Sequence, residues 1–223
     1  MRPIPVRGGA TRLVASTYGL MVGVAGIEHG AFEALQGNER PTGLLIDAIG
    51  PAQRFWEHGT ETALTVVPSF LMTGVLALVL GTAVTLWSTL MITRRAGANV
   101  LLAMCVALFL VGGGFAPIFV SLLGFAAATR IGKPLRWWRR VCRGRFRTIL
   151  AALFPWSLAA FVLAYAVGVE IAIFGAPATS LFGAETAVVI LTDLSYVMLA
   201  LLMVTVPCAF ARDIVATEES TIA

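Results

Sequence analysis

The chain has 223 residues, 58% of them hydrophobic and only 13% charged, with a formal net charge of +4. Ordinary soluble domains carry roughly 25% charged residues, so this composition excludes a soluble globular domain, and several apolar runs exceed the ~18 residues at which a membrane helix is the default reading. Three scattered cysteines, Cys105, Cys142 and Cys208, lack any CxxC spacing and argue against a disulfide framework or a thiolate zinc site.

In chain order, MRPIPVRGGATR followed by LVASTYGLMVGVAG has the basic start of a signal peptide. No small-residue cleavage site follows, so the segment reads as an uncleaved first span over 13–35. Further apolar runs cover 62–93, 98–129, 148–174 and 186–211. The run at 98–129 contains Gly112, Gly113, Gly114 and Pro117 at its centre, strong helix punctuation. Basic residues decide whether it counts as one span or two. Arg2, Arg7 and Arg12 precede the first span, Arg94 and Arg95 follow the second, eight fall in 130–147 and Arg212 follows the last. Only an even count places all these clusters on the cytoplasmic side, as the positive-inside rule expects.

The predicted fold is therefore an all-α integral membrane protein of the plasma membrane, a single membrane domain over 1–223. It is a six-span helical bundle with both termini cytoplasmic, and its spans lie near 13–35, 62–93, 98–112, 115–130, 148–174 and 186–211. Residues 36–61 form an external loop and 130–147 a basic cytoplasmic loop. Spans three and four are short and joined at GGGFAP; about 14–16 apolar residues rise roughly 21–24 Å, less than the ~30 Å hydrocarbon core.

The two histidines lie in matching acidic settings, GIEHGAFE at 26–33 and RFWEHGTE at 54–61. His29 and Glu33 are four residues apart and share a helix face; His58 and Glu61, three apart, would share one if PAQRFWEHGTE is a short helix opened by Pro51. The connection between spans one and two is short, which predicts that the two pairs meet at the outer mouth. His29, His58, Glu33 and Glu61 are thus candidate ligands for a divalent ion such as zinc, iron or manganese. The competing reading is a solvated interface in which Arg40 and Arg54 pair with the acids and Phe55 and Trp56 belong to an aromatic belt. Glu28, Glu57, Glu170 and Asp193 are candidates for binding a proton or a ligand. Glu170 and Asp193 interrupt apolar spans, where a carboxylate costs about 2.5–3.5 kcal/mol on insertion scales, and are expected to face the bundle interior.

Gly19, Gly23, Gly26 and Gly30 form a small-residue stripe that lets another helix approach closely, from this chain or from a second copy in a homodimer. The 130–147 loop, with Trp137 and Trp138 among arginines, fits an interfacial segment attracted to anionic lipids of the bilayer and not to nucleic acid. No phosphate-binding loop, nucleophile elbow or catalytic residue is recognisable. The favoured function is a small transporter or permease-like protein whose outward acid/His cluster binds a proton, cation or small solute. The alternatives are a membrane enzyme with a divalent metal at its outer face, or a component of a membrane complex that depends on a partner subunit.

Overall fold

In the computed structural model, which describes residues 9–222, the fold is nearly all-α, with one two-stranded sheet. Its central element is α1 (Gly9–Leu35), the most buried of the long helices. The glycine stripe explains why. A Cβ at Gly30 would crowd the backbone of Gly74 and Leu78, and one at Gly74 would overlap the backbone of Gly30 and Ala34. Gly23 meets Gly81 and Thr85 in the same way, while Gly19 faces Ser88 and Gly26 faces Leu108. Glycines on both helices therefore bring the backbones of α1 and α2 (Phe70–Leu86) into contact. The stripe is covered by helices of this chain.

Four helices among the described residues are long and apolar enough to cross a membrane. They are α1, α2 with its π-helical continuation Trp87–Met91, α6 (Gly144–Phe174) and α8 (Ala184–Ile222). Two shorter helices, α3 (Gly97–Leu110) and α4 (Ala116–Ala128), form a hairpin around the glycine turn. With 14 and 13 residues they rise about 21 and 20 Å. Short helices α5 (Arg136–Val141) and α7 (Ala178–Phe182) complete the helical set.

Cross-helix contacts fix the relative heights. Asp213 of α8 accepts hydrogen bonds from the amides of Ala10 and Thr11, capping α1. Arg147 at the start of α6 pairs with Glu218, and Gly168 faces Leu194 and Met198. Tyr18 donates to the Leu202 carbonyl and packs its ring on Phe161, 4.9 Å between centroids. His29 then lies about 27 Å above Thr11, at 1.5 Å per residue over 18 residues. The glycine turn sits at that height, because Gly114 contacts His29.

Residues 36–69 form a cap over this end. Strand β1 (Leu45–Asp47) pairs antiparallel with β2 (Thr62–Leu64), and Ile46, Ala48 and Ala63 make a small core with Phe70. Sequence periodicity places 62–69 in the second span, but this segment is extended. It continues past β2 to bond the hairpin tip: Val66 N–H donates to Leu110 O at 3.0 Å, and Gly112 N–H to Leu64 O at 2.9 Å. Thr62, Thr65, Val66 and Val67 are β-branched and suit that role. Helix α2 begins only after Ser69, whose side chain accepts from Met72 N–H. The tip's irregular backbone is thereby paired with protein.

The expected helix over PAQRFWEHGTE reduces to a single 3-10 turn, Pro51–Gln53. Beyond it the chain follows tertiary anchors instead. Trp56 donates from Nε1 to Ala172 O at 3.1 Å, and Phe55 packs against Phe174 with ring centroids 4.8 Å apart.

Candidate functional site: an acidic cleft beside the glycine turn

His29 and Glu33, one turn apart on α1, both point at the α3–α4 turn and are only 3% and 0% exposed. Room for them exists because the turn is glycine. A Cβ at Gly112 would overlap both carboxylate oxygens of Glu33, and one at Gly114 would approach His29 Nε2 at 2.7 Å. Gly112 and Gly114 have φ of +102° and +82°, in the region that favours glycine for a second reason. GGGFAP is thus a cradle for an imidazole and a carboxyl as well as a helix break.

From the cap, Glu61 comes down to meet His29, with Oε2 2.6 Å from Nε2. Burial alone would raise the Glu61 carboxyl, but the hydrogen bond and positive charge of His29 outweigh it and hold the group below the usual carboxylate range. Among the described residues, His29 Nδ1 and both carboxylate oxygens of Glu33 have no hydrogen-bond partner. A buried polar group left so is costly.

Beside this pair a cleft of about 320 Å³ opens between α1, α4, α6, α8 and the cap. Glu28, Thr60, Glu61, Thr62, Tyr165 and Ser195 supply its polar lining, and Phe115, Pro117, Leu191 and Met198 supply much of the apolar part. Glu28 interacts electrostatically with both Glu61 and His29. Tyr165 is anchored by donating to Met21 O at 3.4 Å. Two carboxylates in one apolar-walled cleft, with a third behind them and one imidazole between, favour a positive guest or shared protons.

The remaining residues singled out by the sequence lie elsewhere. His58 stands edge-on to the Trp56 ring and faces Glu185, its Nε2 3.8 Å from Oε1. Glu57 is exposed on the cap, and Asp47 takes up Arg54 at 3.0 Å. Glu170 and Asp193, expected in the bundle interior, are exposed on the outer faces of α6 and α8, and neither lines the cleft. Their faces were not legible because helices apolar all round carry no amphipathic contrast.

The proposed metal set is not assembled: among the described residues no three His, Cys, Asp or Glu side chains are grouped so that they could hold an ion. His58 lies against Trp56 and near Glu185 instead, while His29 and Glu61 pair with each other. Sequence reading missed Thr60, Thr62 and Ser195 as lining residues and the glycines as a cradle. Ser195 lies two residues past Asp193, hence about 200° around the helix from it, so an inward Asp193 would have turned Ser195 away. No protein-family model matches the chain, and no curated protein or solved structure matches it.

Proposed function

We propose that this is a small multi-pass protein of the plasma membrane, transporter- or permease-like, that takes a small cation into the Glu28–Glu61 cleft from the outer side. The observation that carries the reading is the convergence of Glu28 and Glu61 on one cleft, backed by His29 and by the buried Glu33. The apolar helices support a membrane location, and the basic residues at the end remote from the cap support an outward-facing cleft. In this reading a cation entering beside Glu61 competes with His29 for the carboxylate. Cation entry and the His29–Glu61 contact are then linked through one carboxylate.

The test uses purified protein in proteoliposomes with guanidinium and tetramethylammonium as probes. Cation-dependent current and cation-dependent thermal stabilisation are expected for the wild type, reduced at least tenfold in Glu28→Gln and Glu61→Gln. Failure of the wild type to show either signal overturns the proposal.

A further inference from the structure

The other end of the bundle holds a second cavity, built from different residues. It has a volume of about 300 Å³ and lies between the α4–α5 turn and α8, lined by Arg130, Lys133, Leu135, Arg139, Asp213 and Thr217 among others. A neighbouring cavity shares Arg130, Lys133 and Leu135 and extends to Trp137 and Trp138. We infer that Arg130 and Lys133 bind the phosphate of an anionic membrane lipid whose chains run out past Trp137.

Charge bookkeeping around the cavity supports a guest anion. Asp213, the carboxylate in the lining, is already engaged: Oδ1 accepts from Ala10 N–H, and Oδ2 from Thr11 N–H and the Thr11 hydroxyl, at 2.9, 2.9 and 2.5 Å. Glu218 is held by Arg147 at 2.9 and 3.0 Å, so its contact with Arg139 is a loose 3.8 Å. Arg130 and Lys133 make no ion pair among the described residues. Two cations therefore converge on a cavity whose acids are already taken.

The wall is held in place. Trp138 packs on Phe210 of α8, 5.3 Å between centroids. Trp137 stands edge-on to Trp138 and is 63% exposed. Val141, Phe146 and Ile149 continue the exposed apolar surface at 53%, 58% and 55%. An exposed indole beside paired cations is the composition of a headgroup site at a membrane interface. A free phosphate would find the same cations but would leave the apolar rim uncovered, which is why the lipid is favoured.

Native mass spectrometry of the full chain tests this, after exchange into detergent containing phosphatidylglycerol or phosphatidylcholine. Wild type is expected to retain phosphatidylglycerol in preference to phosphatidylcholine, with no loss in millimolar inorganic phosphate. Retention should fall about fivefold in Arg130→Gln or Lys133→Gln and about twenty-five-fold in the double variant. The double variant Arg140→Gln/Arg143→Gln removes the same charge from exposed residues outside the cavity and should retain the lipid as wild type does. Equal loss in both double variants would reduce the effect to general surface charge and overturn the site. Displacement of the lipid by inorganic phosphate would reassign it to a free anion.

Discussion

His29 and Glu61 are 32 residues apart and belong to different parts of the fold, yet their side chains meet at 2.6 Å. One comes from the most buried helix and the other from the cap above it. This contact helps fasten the cap to the bundle electrostatically, and it makes the cleft sensitive to acid.

The carboxyl of Glu61 is held below its ordinary value, so the pair contributes stability above the unfolded carboxyl pKa of about 4.3 and loses it as pH falls through the lower folded value. Glu61→Gln should lower Tm by about 3–12 °C near neutrality, taking 1.5–3 kcal/mol for a charged hydrogen bond and 2–4 °C per kcal/mol. It should also flatten the dependence of Tm on pH between about 5 and 3. Thermal scans across that range check both, and an unchanged acid slope in Glu61→Gln would count against the pair.

Glu33 is fully buried, and both of its oxygens lack partners among the described residues. A residue kept there for function and not for packing is replaceable at a gain in stability. Glu33→Met should raise Tm by about 2–12 °C, from 1–3 kcal/mol for an unsatisfied buried group, while abolishing the cation-dependent signal. A lower Tm would mean the carboxyl is structurally required.

Gly112 and Glu33 should show strong coupling. Gly112→Ala places a methyl group on the Glu33 carboxylate at a φ of +102°. It should destabilise by about 1–3 kcal/mol. In a Glu33→Ala background the steric part disappears and only the backbone part remains. A double-mutant cycle by denaturant or heat should give a coupling of about 0.5–3 kcal/mol; strict additivity would separate the two residues.

Orientation can be read by labelling in a background without native cysteines. A cysteine at residue 45 in β1 should react with an impermeant maleimide applied to intact cells, and one at residue 140 in α5 should not. The reverse pattern would place the cap and its cleft inside.

What could be read from the sequence follows from the range of the interactions involved. Long apolar helices, the break at GGGFAP and the close-packing glycines of α1 are local features, and each has a structural counterpart. The cap is different. Residues 62–67 are apolar enough to continue a helix, and only pairing with β1 and with the α3–α4 turn makes them extended. RFWEHGTE and GIEHGAFE look alike as strings, but Trp56 turns the first toward α6, and His58 takes Glu185 as its partner. Spacing indicates which residues can share a face, while the identity of the group opposite is set by tertiary packing. The meeting of Glu61 with His29 at the mouth is thus legible from spacing and loop length, and the turn of His58 to Glu185 is not.

The bonds from Ala10 and Thr11 to Asp213 span 203 and 202 positions. At a translation rate of about 5–20 residues per second, the first helix waits on the order of 10–40 s for the carboxylate that caps it. During that interval its leading amides depend on water, headgroups or an insertion factor. Helix α1 is then completed only after α8 has been made. Chains truncated before residue 213 should leave that helix end open to exchange and proteolysis, so the folding of this bundle has a closing step that only α8 supplies.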